Sequence, residues 1–422
     1  MPIIKVLAIC NCIAILDGFD LGTISYVAPA ISAEWGLSST KLGTVFSSAF
    51  LGLGFGALFI TPMADRFGRR PLIIFASALT GLAMIASAYC QSVEHFIIAR
   101  IVTGLGVGIL IPLLATYISE FCPSHIRNVN MGILFASGTV GGILGGIIVA
   151  ELLDTIGWRG VFLGGGCVTL IITISVIRGL PESALFLAQS KSPDALKKTN
   201  SVLARLKLRQ LEALPDQNPD KKKTLRIHDL FSSNYMKITL SVWMVFICIN
   251  AYGYFITSWT PQMLVNLGMS LERSIYTGVV HIFGGTIGAI SIGALSKWYA
   301  LRRLVIISLG LGFIVVGLLG GAIYYELWQI LMALNFFAGF TIIGAFASIY
   351  TITAAYYPST IRATAIGSCV GVARIGAIIG PFLAGVMLDL GMTVSLSCWI
   401  FSSLIFCAMV LLYKLPGQSS YA

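Results

Sequence analysis

Charge is what this sequence most lacks. Only 10% of its 422 residues are Asp, Glu, Lys or Arg, against about a quarter in soluble domains. Acid is scarcer than base, with 17 residues against 27 and a net charge of +10. Histidine is reduced to 4 residues, and no cluster of His, Cys, Asp and Glu has metal-ligand spacing. The 9 cysteines are scattered through apolar segments, which excludes a disulfide scaffold and makes them small apolar residues. A phosphate-cradling glycine loop and a nucleophile elbow are absent as well, so no cofactor, no ATP-driven work and no enzymatic chemistry are expected. What remains is apolar: 57% hydrophobic residues and a mean hydropathy of +0.91. That much apolar surface has no room inside a water-soluble globule and is expected in lipid. An outer-membrane barrel is excluded because its crossings are short and alternating.

A crossing helix needs about 20 apolar residues, and twelve such runs can be read, near 4–30, 42–64, 71–91, 95–120, 129–152, 159–180, 237–261, 273–296, 303–323, 327–356, 363–388 and 392–413. The first lacks a small-residue cleavage site and is expected to stay as span one. Outside the long central loop, twelve basic residues fall on one side: Lys5, Arg66, Arg69, Arg70, Arg127, Arg178, Lys237, Lys297, Arg302, Arg303, Arg362 and Lys414. Only Lys41, Arg159 and Arg273 fall on the other. The bias sets both termini in the cytoplasm of a multi-pass protein of the cell inner membrane. The positive charge then faces anionic lipid, and no nucleic-acid partner is needed to explain it. Trp35, Trp158, Trp259, Trp298 and Trp328 fall near span ends and are expected to anchor at the interface.

The two halves of the chain repeat each other at an offset of 235. Pro123-Ser124-His125-Ile126-Arg127 matches Pro358-Ser359-Thr360-Ile361-Arg362, Gly104 matches Gly339, Gly141 matches Gly376, and Asp17-Gly18-Phe19 matches Tyr252-Gly253-Tyr254. The expected fold is an all-α membrane protein of twelve transmembrane helices in two pseudo-symmetric six-helix bundles, residues 1–181 and 236–422. Between them, 182–235 is a basic cytoplasmic linker that also holds Lys191, Lys207, Arg209, Lys221, Lys222, Lys223 and Arg226. Its segment 194–212 has the pattern of an amphipathic helix lying on the membrane face.

Ionisable residues inside the apolar runs cost at least about 2.5–3.5 kcal/mol each and are candidates for function. Four stand out: Asp17, Asp20, Arg100 and Arg374. Asp17 and Asp20 are three apart and share a helix face. Two carboxylates held together in low dielectric repel, which suits a group that loads and unloads a proton. A charge network that only fixes packing is the other reading. The forked guanidinium of Arg374 suits a carboxylate substrate, and pairing it with either aspartate when empty would link substrate binding to protonation. The glycines after Arg100 permit close helix approach and draw it into the bundle, against a snorkelling alternative. Phe19, Tyr252, Tyr254, Phe255 and Trp259 are candidate pocket aromatics for a flat substrate, although most span aromatics only pack. His281 is either a proton relay or a satisfied packing residue. In the loop Asp65-Arg66-Phe67-Gly68-Arg69-Arg70, an acid, a turn glycine and three arginines can form ion pairs that a moving gate breaks. The corresponding second-half loop from Gly293 to Arg303 has no acid.

The segment Asp17-Gly18-Phe19-Asp20 resembles the signature of the aromatic acid:proton symporters, a branch of the major facilitator superfamily. Asp65 to Arg70 resembles the superfamily's gating motif, and Arg100 with its glycines resembles its span-four motif. Glu120, Arg127, Arg362 and Arg374 fall where the family's charged positions are expected. The resemblance runs over the whole chain and implies proton-driven uptake of hydroxybenzoate-type acids; a monomer is expected. Asp17, Asp20 and Arg100 would couple the proton, and Arg374 with the aromatics would bind substrate. Asp65, Arg66, Gly68, Arg69, Glu120, Arg127 and Arg362 would form the gate. Carriage of another organic anion (muconate or another dicarboxylate, or a nicotinate-like acid) and a receptor without transport are the alternatives.

Overall fold

In the computed structural model, the described residues are 2–190, 194–205, 210–214, 230–232, 235–324 and 328–416, and they are helical almost throughout. Lys191, Lys207, Arg209, Lys221, Lys222, Lys223 and Arg226 of the basic linker lie outside them. The long helices are α1 (Pro2–Trp35), α2 (Ser39–Phe67, with a π turn at Gly56–Ile60), α3 (Arg69–Ala88) and α4 (Val93–Phe121). A continuous stretch, Ser124–Gly179, breaks at Gly157, whose φ of 66° and ψ of 171° leave the helical region, and so supplies α5 and α6. After the linker come α7 (Met236–Asn266), α8 (Leu271–Leu295), α9 (Leu301–Tyr324), α10 (Trp328–Ala338, continued by a π turn at Gly339–Ile343 and by Gly344–Ala355), α11 (Ser359–Asp389) and α12 (Val394–Lys414).

Ten described stretches are long and apolar enough to cross a membrane. One of them, Val129–Gly179, holds 51 residues and contributes two crossings either side of Gly157. Helix α1, with 34 residues, is also long enough and carries Asp17 and Asp20 at its centre. The twelve-helix architecture expected from the hydrophobic runs is therefore present, with the observed helices extending a few residues beyond most of the apolar runs.

By contacts the chain groups into two units. The first comprises Met1–Leu21, Ser48–Gly145 and Asp154–Lys223; the second comprises Gly22–Ser47, Gly146–Leu153 and Thr224–Ala422. In the first unit, Val6, Cys10 and Ile13 of α1 pack with Leu72 and Ile73 of α3, Ile109, Leu113 and Tyr117 of α4, and Val176 of α6. The sequence repeat acts through close helix contact. A Cβ on Gly104 would collide with the Ala49 carbonyl, and one on Gly339 with the His281 carbonyl, so α4 seats on α2 as α10 seats on α8. Gly141 and Gly376 do the same for α5 on α1 and α11 on α7, against the carbonyls of Ile15 and Ile247.

In the second unit the first half of α2 is fastened to the end of α11. The Asp389 carboxylate accepts from the backbone N–H groups of Ser39 (2.9 Å) and Thr40 (2.8 Å), and Ser47 Oγ donates to the Ile378 carbonyl (2.7 Å). Asp389 thus caps a helix 350 residues away in the chain, and any state in which α2 leaves α11 must give up both bonds. Asp389→Ala should cost about 1 kcal/mol, the usual loss of an N-cap, and Asp389→Asn less, as read by thermal unfolding of purified protein.

Two expectations need correction. Trp158 and Trp259 are buried within the bundle at 4% and 1% exposure, not displayed as interface anchors. Both are held by ring contacts, Trp158 against Phe96 and Phe162 and Trp259 against Phe46. The linker helix runs from Ala195 only to Arg205 and not to 212; residues 206–209 lie outside the described set and 210–214 are not helical. That helix is tied to the end of α6 by Arg205, which donates to the Arg178 carbonyl (3.0 Å).

Candidate functional site

The four ionisable residues of the apolar runs divide between the units. In the first, α1 and α4 bring Asp20 and Arg100 together, with Arg100 Nη1 donating to Asp20 Oδ1 at 2.8 Å and both side chains essentially without exposure. The second terminal nitrogen, Nη2, donates to Thr103 Oγ1 (2.8 Å) and Ser87 Oγ (3.2 Å). The guanidinium lies over the Phe162 ring at 4.7 Å. Arg100 therefore points into the bundle and does not snorkel. Asp17 is 4% exposed and close enough to Asp20 to feel its charge. Among the described residues its Oδ2 has no hydrogen-bond partner, and neither does Asp20 Oδ2. The arrangement is one compensated carboxylate beside a second buried one whose ionised form would lack a cation. Phe19 packs against Gly165 of α6.

At the basic end of the first unit the α2–α3 junction is an ion-pair cluster. Arg69 reaches Asp65 (2.9 Å) and Glu120 (3.1 Å). The positive φ of Gly68, 101°, turns the chain into α3, and a side chain there would strike Glu182. Glu182 accepts from the N–H groups of Arg69 (2.9 Å) and Arg70 (3.2 Å), closing the exposed start of α3. Sequence reasoning placed Glu182 only as the first linker residue, because nothing in its neighbourhood marks it as a cap for a helix 113 positions earlier. Arg66 turns to the Phe67 ring (5.6 Å) and stands outside this cluster. Arg127 and Arg362 are exposed in the first turns of α5 and α11, and Arg362 Nε donates to the Tyr357 carbonyl (3.2 Å).

In the second unit a cavity of about 200 Å³ opens beside α7, lined by Ile249, Asn250, Tyr254, Thr257, Ile342 and Phe346 among others. Asn250, Gly253, Tyr254 and Thr257 follow the i, i+3, i+4, i+7 spacing of one helix face. The opposite wall is where the π turn of α10 displaces Ile342 and Ile343 from regular helical register. Of the candidate aromatics in α7, only Tyr254 lines this space. Tyr252, Phe255 and Trp259 are corrected to packing residues, each with 1% exposure or less. Phe255 stacks on Phe401 at 3.9 Å, and Trp259 Nε1 donates to the Pro381 carbonyl (2.9 Å). Asn250, Thr257 and Phe346 were missed. Their signal was two polar residues seven apart on an apolar helix, with Tyr254 between them.

Arg374 of α11 lies within electrostatic range of Tyr350, and the Tyr350 ring meets Phe346 edge-on at 5.3 Å and Phe246 at 4.9 Å. Among the described residues of its own unit Arg374 has no carboxylate partner, and its Nε is buried without an acceptor. His281 is fully inside, with Nδ1 3.1 Å from the Asn335 carbonyl and Nε2 unpartnered, and it belongs to the α8–α10 contact, not to the cavity.

Comparison with known proteins agrees with this architecture. The family model described as Major Facilitator Superfamily matches residues 10–324. The 4-hydroxybenzoate transporter PcaK of Pseudomonas aeruginosa is 30% identical over 393 residues, covering 92% of this chain and 86% of that protein. The gallate transporter of Pseudomonas putida is 31% identical over 390 residues, with 92% and 86% coverage. In fold, the inward-open xylose transporter XylE of E. coli matches with a TM-score of 0.78 at 21% identity, covering 98% of this chain and 96% of that one. The chain belongs to the major facilitator superfamily and, within it, to the aromatic acid:proton symporter family.

Proposed function

We propose that this protein moves small aromatic carboxylates across the cell inner membrane together with a proton, entering the cell from outside, with both of its termini in the cytoplasm. The observation that carries the reading is Arg374: a guanidinium with no acid partner among the described residues of its unit, within electrostatic range of Tyr350, whose ring meets Phe346 of the cavity wall. A buried cation of this kind is stabilised by a ligand that brings its own carboxylate. The relatives' names, 4-hydroxybenzoate and gallate transporters, supply the same ligand chemistry. A cavity of about 200 Å³ has room for one substituted benzene ring.

Asp17 and Asp20 supply the proton site in this reading. Asp20 is committed to Arg100, and Asp17 is the carboxylate whose ionisation leaves a charge without a partner. Protonation of Asp17 removes that cost, and an arriving carboxylate removes the corresponding cost at Arg374. Each event favours states in which low-dielectric charge is balanced, which is the basis for linking the two. The Arg69 cluster with Asp65, Glu120 and Glu182 acts as the gate at the cytoplasmic end.

The test is uptake of labelled 4-hydroxybenzoate into proteoliposomes under an imposed inward proton gradient. Accumulation should exceed equilibrium and collapse on adding a protonophore. Binding without uptake would make the protein a receptor. Uptake that ignores the protonophore would remove the coupled proton.

A further inference from the structure

The α7 cavity has an uneven hydrogen-bonding character that a carboxylate-binding role does not use. Asn250 is 7% exposed, and its Nδ2 donates to the Phe246 carbonyl one turn back at 2.8 Å. That bond fixes which end of the amide is nitrogen, since only the nitrogen can donate to a carbonyl. The other end, Oδ1, accepts nothing among the described residues. It is also not among the oxygens sealed from solvent, as Asn335 Oδ1 is, and the open space beside it is the cavity. Two turns along the same face, Thr257 spends its hydroxyl hydrogen on the Gly253 carbonyl (2.8 Å), so its oxygen can only accept. The rest of the named wall is aliphatic or phenyl, and apart from the Tyr254 hydroxyl it offers no side-chain donor.

The geometry points to Asn250 and Thr257 as the residues that select a ring bearing a donor, a phenolic hydroxyl, over an unsubstituted or etherified ring. The inference rests on the proposed function, because it places the acid's ring in this cavity. A ring hydroxyl donates to Asn250 Oδ1. A bare or methylated ring excludes solvent from the same place and leaves the acceptor unpaired, which is the more expensive outcome.

The experiment is calorimetric binding to the full chain in lipid nanodiscs of three probes: 4-hydroxybenzoate, 4-methoxybenzoate and benzoate, with the 3-substituted pair run alongside to allow for ring orientation. The wild type should bind a hydroxylated acid about tenfold or more tightly than its ether and than benzoate. Asn250→Leu, with the same branched outline and no acceptor, should lower affinity for the hydroxylated acid to the level of benzoate and leave benzoate the less affected of the two. Gly253→Val tests the location independently: its Cβ would meet nothing within 4 Å, so the helix accommodates it while the cavity fills, and all three acids should weaken together. Equal wild-type affinity for hydroxylated acids and ethers overturns the inference, as does an unchanged preference in Asn250→Leu or unchanged binding in Gly253→Val. Those results would leave the aromatic-acid reading standing. Failure of every acid to bind the wild type would overturn that reading and this one with it.

Discussion

Arg100→Met is expected to be among the most damaging single substitutions in the chain, and the damage should be largely repaired by a second one. Asp20 has no exposure and Arg100 has 1%. Removing one member of such a pair leaves the other as an uncompensated charge in low dielectric, a loss of about 3–5 kcal/mol. Here the loss has three parts: the 2.8 Å bond to Asp20, the bonds to Thr103 and Ser87, and the contact with the Phe162 face. Arg100→Lys keeps the charge but cannot span Asp20, Thr103 and Ser87 at once, so it should be intermediate. In the double variant Arg100→Met with Asp20→Leu no charge is stranded, and stability should return to near the wild-type value. Thermal unfolding of the wild type, Arg100→Met, Asp20→Leu and the double variant measures the coupling as a double-mutant cycle. Transport then separates the two readings of the pair. If the pair is part of the proton machinery, the double variant folds and binds substrate but no longer accumulates it under a proton gradient. Wild-type accumulation by the stable double variant would leave the pair a packing device.

The pair also shows how far the sequence could be read. Charge in an apolar run is conspicuous, so Asp17, Asp20 and Arg100 were legible as a set. Which aspartate meets the arginine was not, because residues three apart share a face and the choice depends on the rotation of α1 about its axis. The offset of 235 made the fold legible, since Gly104 and Gly339, or Gly141 and Gly376, are required wherever one helix rests on another's carbonyls. Asp65 and Arg69 were legible as members of an ion-pairing loop, whereas Glu182 and Asp389 act on helix starts remote in sequence and leave no local pattern. In α7, aromatic content was a poor guide. Phe255 and Trp259 are large enough to fill the space between helices and do so, while the cavity face is marked by the smaller Asn250, Gly253 and Thr257.

Arg374→Ala should have the opposite profile to Arg100→Met: little loss of stability and a large loss of binding. Among the described residues of its own unit the Arg374 guanidinium meets no carboxylate and its Nε is already buried without an acceptor, so truncation strands no partner there. The unliganded protein should unfold at or slightly above the wild-type temperature. A hydrogen bond from a cation to a carboxylate contributes about 1.5–3 kcal/mol, so affinity for 4-hydroxybenzoate should fall by roughly ten- to a hundredfold or more. The rise in unfolding temperature that saturating acid gives the wild type should shrink with it. The neutral isostere 4-hydroxybenzamide is the control, because it keeps the ring and the hydroxyl and carries no charge for Arg374 to meet. Its weaker binding should be the same in the wild type and in Arg374→Ala, and Arg374→Lys should retain part of the preference for the acid, as a point charge without the fork. Equal losses for acid and amide would mean that Arg374 shapes the cavity without touching the carboxylate. The anion would then have to be held by another cation, and the linkage between Arg374 and the aspartates of α1 would lose its physical basis.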